Sequence, residues 1–369
     1  MCGGKAMELL QDVRLVPAFV DGGISCYRLE GDQFVNRYYV VSEAATRRLL
    51  FKPEVVGYEV YTCLLDATTR MMRHFYHKKM ISSANILSIL RGALNYPLEE
   101  SCYREGIPIH DISFLSSERI FHYDEIAGLE IKYSKLAMVP DSTLMIGDII
   151  ATGDTLVHCL QYVIEKYREH DAKLRNILFF TIGGNRGIEI MERLTRQIRE
   201  FWPEFEGFIA VYYEGIFSTY QDKGLAGIQV PDVDFYWSEG ILAPEYRYEA
   251  LQKLEILFEK CVIYDGGARR YEIADHVKEV LEYWEGILER ADRIDLLEFA
   301  KERLGHSLPM SMEEWRKQNH YDEIDDATVE KLYLQEWEYV KALEGKSLAD
   351  IAQRRIDEIT AALKQYIIV

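Results

Sequence analysis

The chain has 369 residues, a net charge of −18, and 48% hydrophobic against 28% charged residues. That is enough for one large or two ordinary domains around a substantial core. The acidic balance excludes broad binding to bulk nucleic acid, which needs Lys and Arg to neutralise phosphates, and no segment is apolar for long enough to span a membrane.

The first residues, Met1-Cys2-Gly3-Gly4-Lys5, lack the apolar stretch of a signal peptide, so a cytoplasmic location is expected. The six cysteines form no CxxC pair and read as reduced thiols. Residues 1–80 read as an accessory segment with a helical portion over 53–77. His74 and His77 share that helix but lack a third ligand nearby, so packing is the better account of them.

From about 86 to 214 short apolar runs alternate with helical spacing. Residues 86–90 form a strand ending at Arg91-Gly92. Residues 108–115 and 129–136 have strand character on either side of a polar and aromatic stretch, 116–125. These predict a long antiparallel hairpin with a large mobile loop at its tip. Residues 143–146 form a strand ending at Gly147-Asp148. A helix over 155–167 places Leu156, Leu160, Val163 and Ile164 on one face. A strand at 176–181, a helix at 188–202 and a strand at 208–213 follow. Short buried strands alternating with helices predict an α/β fold with an open, mostly parallel sheet flanked by helices.

After residue 245 the pattern turns helical. Ile273, Val277, Val280, Trp284, Ile287, Ala291 and Ile294 recur at three- and four-residue spacing, and Ser347 with Asp350 marks the start of a last helix. The expected organisation is an N-terminal segment (1–80), an α/β domain (81–244) and an added, mostly helical C-terminal region (245–369). The turn at 265–270 is explained by helix capping.

The segment 144–156 carries chemistry. Three apolar residues end at Gly147-Asp148, and a turn of small residues and hydroxyls, Ala151-Thr152-Gly153-Asp154-Thr155, opens a helix. Small residues let backbone approach an anion, and a helix N-terminus offers unsatisfied N–H groups to it. Asp148, at the strand end, is placed to accept hydrogen bonds from sugar hydroxyls. A sugar phosphate at the C-terminal edge of a parallel sheet fits this description.

The segment resembles the phosphoribosyl-pyrophosphate signature of type I phosphoribosyltransferases: an apolar strand, two acids, two apolar residues, then Ala-Thr-Gly-x-Thr. The resemblance covers roughly residues 80–240. It implies a type I phosphoribosyltransferase-like fold and transfer of ribose 5-phosphate from phosphoribosyl pyrophosphate (PRPP) to a nitrogen base, with Mg2+ assisting release of pyrophosphate. It also implies that 151–155 wrap the 5′-phosphate and that Asp148 contacts the ribose. Arg91-Gly92 resembles the pyrophosphate loop, with Arg91 stabilising the leaving charge.

The hairpin tip corresponds in order to the family's flexible catalytic loop, with Ser117, Arg119, His122 and Lys135 as polar candidates. The stretch Gly227-Ile228-Gln229-Val230-Pro231-Asp232 is similar to the base-binding segment of uracil-type enzymes, with Asp232 or Asp234 accepting from a base; packing against the C-terminal helices explains the neighbouring aromatics equally well. Two departures stand out. The first acid of the usual pair is Gly147, and Asp154 stands where Gly is frequent, so its carboxylate must face away from a bound phosphate. The expected partners are PRPP and a small nitrogenous base or nucleotide, with a homodimer in keeping with the family. The alternative is a non-catalytic regulator or scaffold of the same fold that binds nucleotide or PRPP.

Overall fold

The computed structural model describes residues 9–90, 94–122, 125–150, 153–220, 234–259, 271–306 and 309–367. Within these it describes the backbone alone at 119–122, 125–128, 219–220, 234–236 and 238. Ten strands join one sheet: β1 (Arg14–Asp21), β2 (Ile24–Glu30), β3 (Arg37–Ser42), β4 (Ala84–Leu90), β5 (Ile109–His122), β6 (Glu125–Lys135), β7 (Thr143–Gly147), β8 (Asn176–Gly184), β9 (Phe208–Tyr220) and β10 (Asp234–Leu242). Their order is β1-β2-β3-β9-β8-β7-β4-β5-β6, with β10 also on β9. The pairs from β3 through β9, β8, β7 and β4 to β5 are parallel. Hairpins close both ends, and β10 adds an antiparallel partner to β9. This is the mostly parallel sheet expected from the sequence.

The central strands are apolar runs because both faces are covered. Every residue of β7 and of β8 is buried. The helices doing this covering include α1 (Ala44–Phe51), α2 (Tyr58–His77), α3 (Tyr96–Glu105), α4 (Asp154–Glu169) and α5 (Arg186–Arg199). In α4 the buried positions Leu156, Cys159, Leu160, Val163, Ile164 and Tyr167 recur at helical spacing, while Asp154 opens the helix and Lys166 and Arg168 close it. That charge order suits the helix dipole at both ends. Glu192 on α5 is fully buried and accepts from the Val35 and Asn36 N–H groups and the Tyr38 hydroxyl, fastening the lead-in to β3 onto the helix.

The C-terminal region contributes α6 (Pro244–Ala250), α7 (Ile273–Arg290), α8 (Leu296–Leu304), α9 (Met312–Gln318), α10 (Asp326–Leu343) and α11 (Leu348–Leu363). The Ser347 hydroxyl caps α11 by accepting from Asp350 N–H. These helices share one apolar core with the sheet, running from Leu10 to Leu363. Polar ties reinforce it. Tyr321 donates to the Leu242 carbonyl at 2.9 Å, and Arg355 reaches both Glu259 and Glu54 at 2.6 Å. Arg247, 2% exposed, pairs with the buried Glu336 at 2.8 Å between the Trp237 and Trp315 rings. Among the described residues, no helix is long and apolar enough to cross a membrane.

The hairpin differs from expectation. The ladder runs through the polar stretch, with Glu118 opposite Glu130, Arg119 opposite Leu129 and His122 opposite Glu125, in place of a large loop. Register shifts at Ser116/Ser117 and Ile120/Phe121 absorb the extra residues. Lys132, 2.6 Å from Glu130 and 3.7 Å from Glu118, offsets the charge of those two facing acids.

Candidate functional site

The chain leaves β4 for β5 on one side and then returns to β7 on the other side of β4. The C-terminal ends of β4 and β7 therefore flank a topological switch point, where ligands of open α/β sheets bind. The two loops that open there are the ones singled out from the sequence: the one that follows β4 and begins at Arg91-Gly92, and the one that follows β7.

Gly147 and Asp148 take opposite sides of this edge, as successive residues of an extended chain do. A Cβ on Gly147 would lie 2.3 Å from the Leu94 carbonyl oxygen and 2.7 Å from Asn95 N, in the turn that leads into α3. Asp148 raises the pKa of the Cys159 thiol on α4, although burial is the larger cause of that shift to about 11. The loop before α3 and the start of α4 thus approach β7 from opposite faces. Asp148 N–H continues the ladder to the Phe180 carbonyl at 3.1 Å, and its carboxylate accepts from Ile149 N–H at 2.9 Å.

Gly153 is the N-cap of α4 with φ 77°. That left-handed backbone suits glycine, and a Cβ there would lie 2.2 Å from Ile190 Cδ1. The first bond of the helix is Val157 N–H to the Gly153 carbonyl at 3.0 Å. The N–H groups of Asp154, Thr155 and Leu156 consequently have no acceptor within the helix. The Asp154 residue is exposed and Thr155 is half-buried. Ala151 and Thr152 lie outside the described residues, as do Arg91 and Gly92.

Of the hairpin candidates, Ser117 is half-buried and accepts from Cys159 Sγ at 3.7 Å, on the same helix face that senses Asp148. Lys135 sits at the hairpin base opposite Phe114, exposed and 3.8 Å from Asp111. Arg119 and His122 are strand residues whose side chains lie outside the described set. Asp232 lies outside it too, and Asp234 is placed by its backbone alone, opposite Tyr220. The aromatics near this segment whose side chains are described are core. Tyr212 and Tyr213 are fully buried, with Tyr213 sharing a hydrogen bond with Thr68 at 2.6 Å. Phe217 and Trp237 both pack on Tyr246.

Sequence reasoning missed Glu214. It is fully buried within β9, with φ 66°, a costly conformation for a residue with a side chain. It accepts from Ser42 Oγ at 2.6 Å, Glu43 N–H at 2.8 Å and the Thr46 hydroxyl, so it anchors the start of α1. Burial pushes its carboxyl up to about 8, against the pull of Arg47 and these donors. A lone Glu between Tyr213 and Gly215 gives no pattern by which a sequence reading could find it.

Among the described residues, no group of three or more His, Cys, Asp or Glu side chains is placed to hold a metal ion. A cavity of about 760 Å³, lined by Arg14, Glu239, Lys317 and His320 among others, contains none of the expected site residues.

No protein-family model and no curated protein matches the sequence. Solved structures do match segments of the chain. Phosphoribosyltransferases are among them. A hypoxanthine phosphoribosyltransferase from Staphylococcus aureus matches at 16% identity over 32% of this chain and 61% of its own, with TM-score 0.24. The hypoxanthine-guanine enzyme of L. donovani matches at 14% over 37% and 78%, with TM-score 0.29. The adenine enzyme of Leishmania tarentolae matches at 19% over 41% and 70%, with TM-score 0.27. The chain thus spans under two thirds of the staphylococcal enzyme. These are segment-level likenesses, and any functional reading rests on the chain's own residues.

Proposed function

We propose that the chain binds PRPP at the β4/β7 switch point and transfers its ribose 5-phosphate to a small nitrogenous base, releasing pyrophosphate. What supports this reading is a carboxylate, Asp148, directly after β7 at the switch point, followed in the chain by the α4 start, whose Asp154, Thr155 and Leu156 N–H groups have no acceptor within the helix. Residues 151–155 hold the 5′-phosphate through backbone N–H groups and the Thr152 and Thr155 hydroxyls. The exposed Asp154 leaves room for that anion on the other side of the helix start. Asp148 orients the ribose ring, and Arg91 with Gly92 receives the pyrophosphate as its charge develops.

No group of three or more possible ligands is placed to hold a metal among the described residues, so a magnesium ion at this site would be held mainly by the donor's own oxygens. Bound there, Mg2+ would neutralise charge on the leaving pyrophosphate. The β5/β6 hairpin, whose Ser117 meets Cys159 on α4, is the element that would shield the ribosyl centre from water.

Pyrophosphate release on mixing the chain with PRPP, Mg2+ and a panel of purine and pyrimidine bases tests the proposal. Release with at least one base supports transfer. The crowding at Gly147 favours a second reading, a non-catalytic protein that binds nucleotide or PRPP, and PRPP binding without release under every base would establish it.

A further inference from the structure

Resting on the PRPP-site reading above, we infer that Asn95 replaces the missing first acid and that its carboxamide hydrogen-bonds one ring hydroxyl of the ribose. Three observations converge on this residue. First, an acid at position 147 is sterically excluded: its Cβ would lie 2.3 Å from the Leu94 oxygen, 2.4 Å from the Leu94 carbonyl carbon and 2.7 Å from Asn95 N. All three are backbone atoms, so no side-chain rotation relieves the contact.

Second, what fills that space is the turn carrying Asn95, at the end of the loop that connects β4 to α3. The polar group lost from β7 is therefore met by a polar group arriving from the neighbouring strand. Asn95 thus stands beside the residue that ends β7, and Asp148 is the next residue along the chain.

Third, the Asn95 side chain is arranged for an additional partner. The residue is 9% exposed, and its carboxamide nitrogen donates to Ser88 Oγ on β4. Its oxygen is buried and has no partner among the described residues. Exchanging the two ends of the amide leaves this unchanged, because a hydroxyl can donate or accept. One end is held by Ser88 and the other has no partner among the described residues. A buried polar atom without a partner costs stability and is normally met by a ligand or a water. The Asn95 side chain does not cap α3, so helix capping does not account for it.

The test uses the full-length chain and titration calorimetry with ribose 5-phosphate, 2-deoxyribose 5-phosphate and 3-deoxyribose 5-phosphate. The wild type should favour ribose 5-phosphate over each deoxy sugar by about three- to tenfold, the loss expected for one neutral hydrogen bond. In Asn95→Ala one of the two preferences should fall to about onefold, with affinity for that same deoxy sugar unchanged. Asn95→Asp should restore the preference, and Ser88→Ala, which frees the carboxamide, should reduce it. Both preferences surviving in Asn95→Ala would overturn the inference while leaving PRPP binding intact. Equal weakening of all three sugars would also overturn it, by making Asn95 a structural residue. Should Asn95→Ala not fold, an unchanged preference in Ser88→Ala overturns it instead. A wild type that binds none of the sugar phosphates or PRPP would instead refute the site reading itself.

Discussion

Replacing Gly147 by Asp completes the acid pair of the signature that this segment resembles, and the structure predicts that the change weakens the proposed site. The added Cβ would meet the Leu94 oxygen at 2.3 Å. Unstrained carbon–oxygen contacts begin near about 3.3 Å, so the 94–95 turn has to retreat by about 1 Å. Gly147 is buried and the obstructing atoms are backbone, so the cost is that of overpacking, about 1–3 kcal/mol for Gly147→Ala. Gly147→Asp adds a charge that burial penalises further. Urea denaturation should show both variants less stable than wild type in that order, and calorimetry should show both binding PRPP more weakly. A Gly147→Asp protein of wild-type stability that binds PRPP more tightly would refute the steric argument. It would mean that the glycine is a lost acid and not a packing requirement.

Gly153→Ala should cost about 1–2 kcal/mol through its left-handed backbone and weaken ribose 5-phosphate binding several-fold; unchanged affinity would remove the 5′-phosphate from this loop. Burial lifts the Glu214 carboxyl to about 8 and the Glu259 carboxyl to about 7. Both lie above the unfolded value of about 4.3, so their contribution is fully present below that value and is lost as pH rises through 7 to 8. Urea midpoints should therefore fall from pH 5 to 9, and less steeply in Glu214→Gln; identical slopes would contradict the assignment. Arg247→Ala leaves the buried Glu336 without its guanidinium and should destabilise the fold by about 3–5 kcal/mol, read by denaturation. The Arg247→Met, Glu336→Leu pair should be much milder, and equal losses would show that packing, not charge, dominates there.

The parts of the fold legible in the sequence were those buried on both faces. The runs at 86–90, 143–146, 176–181 and 208–213 all fall inside β4, β7, β8 and β9 because a covered parallel strand is apolar throughout. The strands β1 to β3 were not legible as sheet members. In β1 and β2 charged residues such as Arg14, Arg28 and Glu30 break the apolar signal, and the short buried run of β3 gives no sign of its parallel partner β9. The hairpin itself was legible, but the extension of its ladder through the polar stretch was not, since those residues pair through backbone and bulges. Within the proposed site, Asp148 and Gly153 stand out in the sequence because a strand end, a small turn and a helix start are adjacent there. Asn95 and the reason for Gly147 could not, because they depend on two loops brought together by strand pairing. Glu214 is silent for a further reason: its partners Ser42, Glu43 and Thr46 come from a distant segment.

The central claim is that PRPP is held between Asp148 and the start of α4. Calorimetric titration of PRPP with Mg2+ into the wild type and Asp148→Asn tests it most directly. The account predicts saturable binding to the wild type and loss or marked weakening in Asp148→Asn, with the fold intact by circular dichroism. No binding to the wild type, or equal affinity in the two proteins, would contradict it.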